Sequence, residues 1–345
     1  MNFMKTLDNL KLIQGGMGIG VSLGNLAGAV MREDCMGVIS FAQPGYKQPD
    51  FWTNTLEANK RQFSIEVSRA REISENKGLL GVNIMVAGND YQKYVNCAVE
   101  NKVDAIISGA GLPLDLPKFV PSSILIAPIV SSQRAFDLIV KVWQKRYQRT
   151  PDFVIVEGPK AGGHLGFDLK QLKEKSTQSL ADIVQEVKQS IMKLNVKIPL
   201  FAAGGIMTHQ DVLDIQAHGA DGVQVATRFI VTQECDAHEN FKQAILNAKQ
   251  EDILFVKSPS GFPGRGLRSK FVDAMMTRDH NLSIKRCVDC LKACNPQDTI
   301  YCITQALINS VSGYVNQGLV FAGERAFELT QMSSVKEVID DLLNR

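Results

Sequence analysis

About 230 residues at the start of the chain alternate between short apolar runs and segments whose apolar positions recur every three or four residues. The second pattern predicts helices with one buried face. The apolar runs are continuous, which is typical of parallel strands covered by helices. Eight such runs are present, at residues 10–14, 36–41, 81–86, 103–108, 123–128, 153–157, 199–203 and 222–226. Eight strands that alternate with helices predict an α/β fold of the (β/α)8, or TIM-barrel, type.

The regular alternation ends after residue 252. Residues 256–266 are rich in proline and glycine and show no period, so we predict an irregular loop there. From residue 271 onward the spacing of apolar residues is helical again. We therefore expect two domains: a barrel over residues 1–250, and a loop with a mostly α-helical extension over residues 251–345 that packs on the barrel. The basic residues of the loop either cover the barrel mouth or face the solvent.

The composition narrows the class of protein. With 345 residues, 45% of them hydrophobic, the chain is long enough for one large barrel and a smaller extension. A net charge of +2 gives no reason to expect binding to nucleic acid. No run of about 18 apolar residues argues for a membrane span, and the N-terminal residues do not resemble a secretion signal. Seven cysteines, an odd number, favour a reducing compartment, so we expect a cytoplasmic protein.

Two glycine-containing turns follow the seventh and eighth predicted strands. The first holds Gly204 and Gly205, and the second lies within residues 222–228. Backbone N–H groups at such turns can converge on a dianion, and the dipoles of the following helices add positive charge. In β/α barrels the loops after strands seven and eight commonly bind phosphate. We therefore expect a phosphorylated ligand at this edge of the barrel.

Three other segments of the predicted barrel carry candidate chemistry. The glycines of residues 15–20 let the backbone lie against a flat ring, although a tight turn without a ligand fits as well. Asn83 lies inside an apolar run, where its amide must bind a ligand or tie two strands together. The loop after the sixth strand contains Glu157, Lys160 and His164. Imidazole exchanges protons near neutral pH, so we predict a catalytic role for His164; the alternative is a loop residue that bonds to its own backbone.

Five motifs in order resemble the nitronate monooxygenase (2-nitropropane dioxygenase) family, which is related to flavin-dependent enoyl-acyl-carrier-protein reductases. They are IQGGMG at 13–18, GVN at 81–83, EGPKAGGHLG at 157–166, AAGGI at 202–206 and GADGVQVATRF at 219–229. The resemblance implies a barrel that binds FMN, with His164 as the catalytic residue. The residues that it assigns to FMN are Gly16, Met17, Asn83, Glu157, Gly162, Gly163, Gly204, Gly205, Gln224, Val225, Ala226 and Thr227.

One of these residues departs from the family pattern in a way that matters for charge. Glu157 stands where many members of the family carry glutamine. A carboxylate beside an electron-rich reduced flavin disfavours reduction, unless it is protonated or neutralised by Lys160.

The resemblance leaves the reaction open between two enzymes. The first is a nitronate monooxygenase that oxidises alkyl nitronates with dioxygen, in which His164 acts as a base or orients the nitro group. The second is a reductase that uses NAD(P)H as a co-substrate to reduce an enoyl thioester. A third interpretation, from another class, is a barrel that binds a phosphorylated ligand without turnover. We expect a small-molecule substrate, no nucleic acid and no membrane, and leave open whether two copies form a homodimer.

Four cysteines in the extension form a separate candidate site. Cys287, Cys290, Cys294 and Cys302 have the spacing C-x2-C-x3-C-x7-C. Four thiolates can hold an iron–sulfur cluster or close a tetrahedral zinc site. The alternative is that the four side chains pack as small hydrophobic groups on helices. The sequence therefore commits to no metal site.

Overall fold

The computed structural model describes residues 7–277, 282, 284 and 286–345. Its centre is a closed barrel of eight parallel strands. They are β1 (Leu12–Gln14), β2 (Met36–Ser40), β3 (Leu79–Met85), β4 (Ala105–Gly109), β5 (Leu125–Val130), β6 (Val154–Glu157), β8 (Leu200–Ala203) and β9 (Gly222–Val225). Each strand pairs with the next, and β9 pairs with β1 to close the barrel. Every predicted run overlaps one of these strands, so the predicted (β/α)8 fold is confirmed.

Helices connect the barrel strands and continue into the C-terminal third of the chain. They are α1 (Gly24–Arg32), α2 (Thr55–Ile73), α3 (Tyr91–Glu100), α4 (Leu116–Phe119), α5 (Gln133–Tyr147), α6 (Leu169–Glu174), α7 (Leu180–Lys193), α8 (His209–Ala217), α9 (Thr227–Ile230), α10 (Glu239–Leu246), α11 (Lys270–Met276), α12 (Ile303–Val311) and α13 (Val335–Leu343). Capping boxes begin three of them, at Ser179, Thr208 and Ser334. These side chains satisfy N–H groups that a helix leaves unpaired at its start, which fixes where each helix begins.

The core has two layers that decide where a ligand can bind. Buried side chains such as Ile13, Phe153 and Phe201 fill the inside of the barrel. A second layer, which includes Phe136 and Trp143, packs between the strands and the surrounding helices. Because the barrel interior is filled, a site must lie above it, where the carboxyl ends of the strands open into loops.

A small antiparallel sheet lies outside the barrel and corrects one prediction. It contains β10 (Ile253–Lys257), β11 (Pro263–Leu267) and β7 (Gly163–His164), in the order β10-β11-β7. Residues 256–266, predicted as an irregular loop, therefore form most of a hairpin, and that prediction is wrong. The glycines of β11 weaken the strand pattern in the sequence. Gly266 has a packing role, because a Cβ there would lie 2.5 Å from the Val320 carbonyl oxygen.

The C-terminal residues are helical in large part, as predicted, and their last helix belongs to the barrel. α13 packs against α1 and α8, and its apolar face joins the layer between strands and helices. It therefore occupies the position of the outer helix that follows the last barrel strand. The described residues between 231 and 334 form an excursion over the barrel before the chain returns. The boundary at residue 250 between two domains stays a prediction, and residues on both sides of it complete the barrel.

Candidate functional site

One cavity of about 550 Å³ opens at the carboxyl ends of the barrel strands. All of the residues that the sequence singled out as catalytic or FMN-binding line it. They are Gly16, Met17, Asn83, Glu157, Gly162, Gly163, His164, Gly204, Gly205, Gln224, Val225, Ala226 and Thr227. The motifs that are far apart in the chain therefore meet at one place in the fold. Whether they bind FMN stays a prediction.

The turn after β1 packs tightly against β3. A Cβ on Gly16 would lie 2.5 Å from the Cβ of Asn83 and 3.2 Å from Cγ1 of Val38, so no side chain fits there. Asn83 pairs with Ser40 and Ile107 through its backbone. Within the described part of the chain, its side-chain amide makes no hydrogen bond, and the residue lines the cavity. This arrangement favours the ligand-facing interpretation of Asn83 over a tie between strands.

The turn after β8 is built as a cradle of backbone groups. Gly204 and Gly205 have φ of +97° and +87°, a region that residues with a side chain rarely adopt. No acceptor for their N–H groups lies among the described residues, and both glycines line the cavity. The helix after β9 is only four residues long, so its dipole contributes less than the sequence analysis expected.

Arg325 holds this turn from the far end of the chain, and the sequence analysis missed it. Its Nη1 donates to the Gly205 carbonyl oxygen at 3.0 Å and to Oδ2 of Asp211 at 2.7 Å. Asp211 in turn accepts the N–H of Thr208 at the start of α8. The guanidinium therefore fastens the Gly205 turn to the first turn of α8. No local pattern signals this role, because Arg325 lies 120 residues from Gly205.

The sequence placed Glu157, Lys160 and His164 at the cavity, and burial shifts Glu157 and His164 toward their neutral forms. Desolvation raises the pKa of the Glu157 carboxyl from 4.5 to about 8. Among the described residues, Lys160 forms no ion pair with it. Of the two ways to neutralise Glu157, protonation therefore fits the structure better. Desolvation also lowers the pKa of His164 from 6.5 to about 4, so its imidazole is neutral near pH 7.

His164 is held by the small sheet rather than by the barrel. Its backbone pairs with Gly264 of β11, and its ring meets the edge of Phe321 with centroids 5.2 Å apart. Its Nε2 lies 2.8 Å from Oγ of Ser258. The imidazole therefore has a fixed position above the cavity, and the alternative of a loop histidine bonded to its own backbone does not fit.

A sequence model of the nitronate monooxygenase family matches residues 3–345. The chain belongs to this family. Probable nitronate monooxygenases of Staphylococcus aureus strains Newman and JH9 are each 38% identical to it over 127 residues, which is 36% of this chain. The alignment spans 34% of the length of these curated relatives. The resemblance noted from the five motifs is thus confirmed at the level of the family.

Solved structures of related shape agree on the fold of this family member. FabK from Thermotoga maritima superposes with a TM-score of 0.75 and 24% identity, over 99% of this chain and 94% of that one. Nitroalkane oxidase from Streptomyces ansochromogenes gives a TM-score of 0.74 and 18% identity, over 98% and 97% of the two chains. Identities this low show the common fold and do not choose between the reactions that these names denote.

Cys290, one of the four cysteines of the extension, lies beside the loop after β3, where the N–H of Asn89 donates to its carbonyl oxygen. Cys290 and Cys294 pack with Leu291 and Tyr301. Oγ1 of Thr304 donates to Sγ of Cys290 at 3.2 Å, while Cys287 is exposed. In the described ranges, no three His, Cys, Asp or Glu side chains are grouped so that they could hold a metal ion. The contacts of Cys290 and Cys294 favour hydrophobic packing over a cluster or a zinc site.

The residues that the structure describes include helices α1 to α13. None of their helices combines the length and the apolar character that crossing a bilayer requires.

Proposed function

We propose that this chain is an FMN-dependent oxidoreductase that oxidises alkyl nitronates with dioxygen. The observation that carries the proposal is the cavity itself, which brings the His164 imidazole, the Asn83 and Glu157 side chains and the Gly204–Gly205 turn to the mouth of one barrel. Family membership supports the same activity. A cavity of about 550 Å³ falls in the usual range of about 300–1,000 Å³ for sites of small molecules and cofactors.

The residues at the cavity fit FMN by their shape and donor groups. Gly16 lines the cavity, and without a side chain its backbone could lie against a flat ring. The N–H groups of Gly204 and Gly205 suit a phosphate, and Thr227 lines the same cavity. Asn83 and a protonated Glu157 supply hydrogen bonds without a charge that would oppose reduction. When bound, FMN would supply the electron transfer and the reaction with dioxygen.

In this proposal the protein positions the substrate and controls its charge. His164 is neutral and lies above the cavity, so it can donate a hydrogen bond to an oxygen of the nitronate. The Phe321 ring packs against the imidazole and limits its movement. A hydrogen bond from a neutral donor to an anionic oxygen is stronger than one between two neutral groups.

Anaerobic stopped-flow mixing tests the proposal directly. We expect an alkyl nitronate alone to bleach the flavin absorbance of the loaded protein, and NADH alone to leave it unchanged. His164→Ala should retain the yellow colour and lose the bleaching, whereas His218→Ala, a change outside the cavity, should behave as wild type. Rapid bleaching by NADH without nitronate would instead support the alternative, reduction of an enoyl thioester with NAD(P)H. A loaded protein that neither compound bleaches would support a binding protein without turnover.

A further inference from the structure

The turn between β10 and β11 places two serines in line with His164. Oγ of Ser258 lies 2.8 Å from Nε2 of His164, and Oγ of Ser260 lies 2.9 Å from Oγ of Ser258. Ser260 is only 4% exposed. The chain of hydrogen bonds continues to the N–H of Phe262, which donates to Oγ of Ser260 at 3.4 Å. Both serines lie in residues 256–266, which the sequence analysis predicted as an irregular loop without giving either serine a role.

The direction of these bonds follows from counting hydrogens. Oγ of Ser258 accepts from both the hydroxyl and the N–H of Ser260, the second at 3.2 Å. A hydroxyl oxygen has two lone pairs and one hydrogen. With both lone pairs used, the Ser258 hydroxyl can only donate to His164. Nε2 of His164 is then an acceptor, and in a neutral imidazole the hydrogen must lie on Nδ1.

The other ring nitrogen faces the cavity. Nδ1 of His164 has no hydrogen-bond partner in the described part of the protein, and no buried side-chain nitrogen or oxygen there lacks a partner. Nδ1 is therefore accessible, and the accessible space around His164 is the cavity that it lines. The imidazole thus presents an N–H group, not a lone pair, to whatever is bound.

We propose that Ser258, oriented by Ser260, fixes the tautomer of His164 with its hydrogen on Nδ1, so that His164 is a hydrogen-bond donor to substrate oxygen and not a base. The consequence for substrate class rests on the function proposed above. A site without a base takes compounds that arrive as anions, such as preformed alkyl nitronates, whose proton has already been lost to water. Neutral nitroalkanes, which still carry that proton on carbon, are poor substrates.

The tautomer can be measured without turnover. Protein labelled with nitrogen-15 in its histidines gives separate signals for protonated and unprotonated ring nitrogens, and comparison with His164→Gln assigns the pair from His164. In wild type we expect the protonated signal on Nδ1. Ser258→Ala should mix the two tautomers, and Ser258→Thr, which keeps a hydroxyl, should restore the wild-type pattern. Ser68→Ala, an exposed serine on α2, is the matched control.

Kinetics supply the second readout. Ser258→Ala should lower kcat for a preformed nitronate by about tenfold, the loss of one well-placed hydrogen bond, with KM changed little. The preference for the nitronate over the parent nitroalkane should fall with it, because a free Nδ1 lone pair can then act as a base. Ser258→Thr should recover both values, and Ser260→Ala should give an intermediate loss.

The two proposals fail in different ways. If wild type carries the His164 hydrogen on Nε2, or if Ser258→Ala changes neither the nitrogen signals nor the substrate preference, the tautomer proposal is overturned. If Ser258→Ala does not fold, the wild-type spectrum and the Ser258→Thr and Ser260→Ala variants still decide it. If no nitronate is oxidised while the Nδ1 signal is found, the function fails and the tautomer assignment stands.

Discussion

The raised pKa of Glu157 should make the stability of the flavin-free protein depend on pH in a defined direction. The folded protein binds the Glu157 proton up to a pH of about 8, whereas the group in the unfolded chain loses it near 4.5. Between these values the folded state holds more protons, so the free energy of unfolding falls as the pH rises. The stabilisation from the proton on Glu157 is fully present below a pH of 4.5 and is lost as the pH rises to about 8.

The magnitude follows from the same linkage. A full difference of one proton changes the free energy of unfolding by about 1.4 kcal/mol per pH unit, or nearly 3 kcal/mol from about pH 5 to about pH 7. The Glu157 side chain is half-buried at an open cavity, so solvent reduces the effect, and we expect about 1.5 kcal/mol.

Urea unfolding of wild type and Glu157→Gln at several pH values measures the contribution of Glu157 to the free energy of unfolding. Groups common to both proteins cancel in the difference. We expect wild type to lose about 1.5 kcal/mol relative to Glu157→Gln over the two pH units, while Glu251→Gln, an exposed glutamate outside the cavity, shows no such trend. A difference that stays constant, or that grows in favour of wild type as the pH rises, would refute the reasoning and point to an ionised Glu157.

Three further substitutions test the construction of the cavity. Gly162→Ala should lower the free energy of unfolding in urea by about 2 kcal/mol, because the new Cβ would lie 2.6 Å from the backbone N of Gly323. Arg325→Met should weaken FMN binding about tenfold in a fluorescence titration, since the Gly205 turn loses a charged hydrogen bond. Unchanged affinity would show that the Gly205 turn keeps its conformation without Arg325. Gly16→Ala should give folded protein with little flavin on purification, because its Cβ would displace Asn83; a full flavin content would contradict the proposed ring position.

The parts of the fold and site that could be predicted have local signals. Continuous apolar runs mark the barrel strands, and Gly204 and Gly205 directly follow one of them, so strand and turn are visible together. The start of α8 also has a local signal, because Thr208 and Asp211 satisfy each other's backbone N–H groups within one turn. Glu157 and His164 were found for the same reason, as polar residues in a glycine-rich loop at a strand end.

The missed features depend on contacts between distant parts of the chain. β11 contains Pro263 and two glycines, which weaken any strand pattern, and it exists because it pairs with both β10 and β7. Ser258 meets His164 across 94 residues. The protonation state of Glu157 also cannot be predicted from the sequence, since burial in the folded protein sets its pKa. These features follow from the tertiary structure and not from any window of the sequence.

The position of α13 has a consequence for how the molecule is made. Until α13 has emerged from the ribosome, α1 and α8 expose the apolar surface against which Val338, Ile339 and Leu342 will later be buried. The excursion that carries Ser258, Phe321 and Arg325 is translated before those residues. A nascent chain therefore contains the residues that line the cavity before it contains α13. Packing of α13 against α1 and α8 then completes the outer layer of the barrel that supports this cavity.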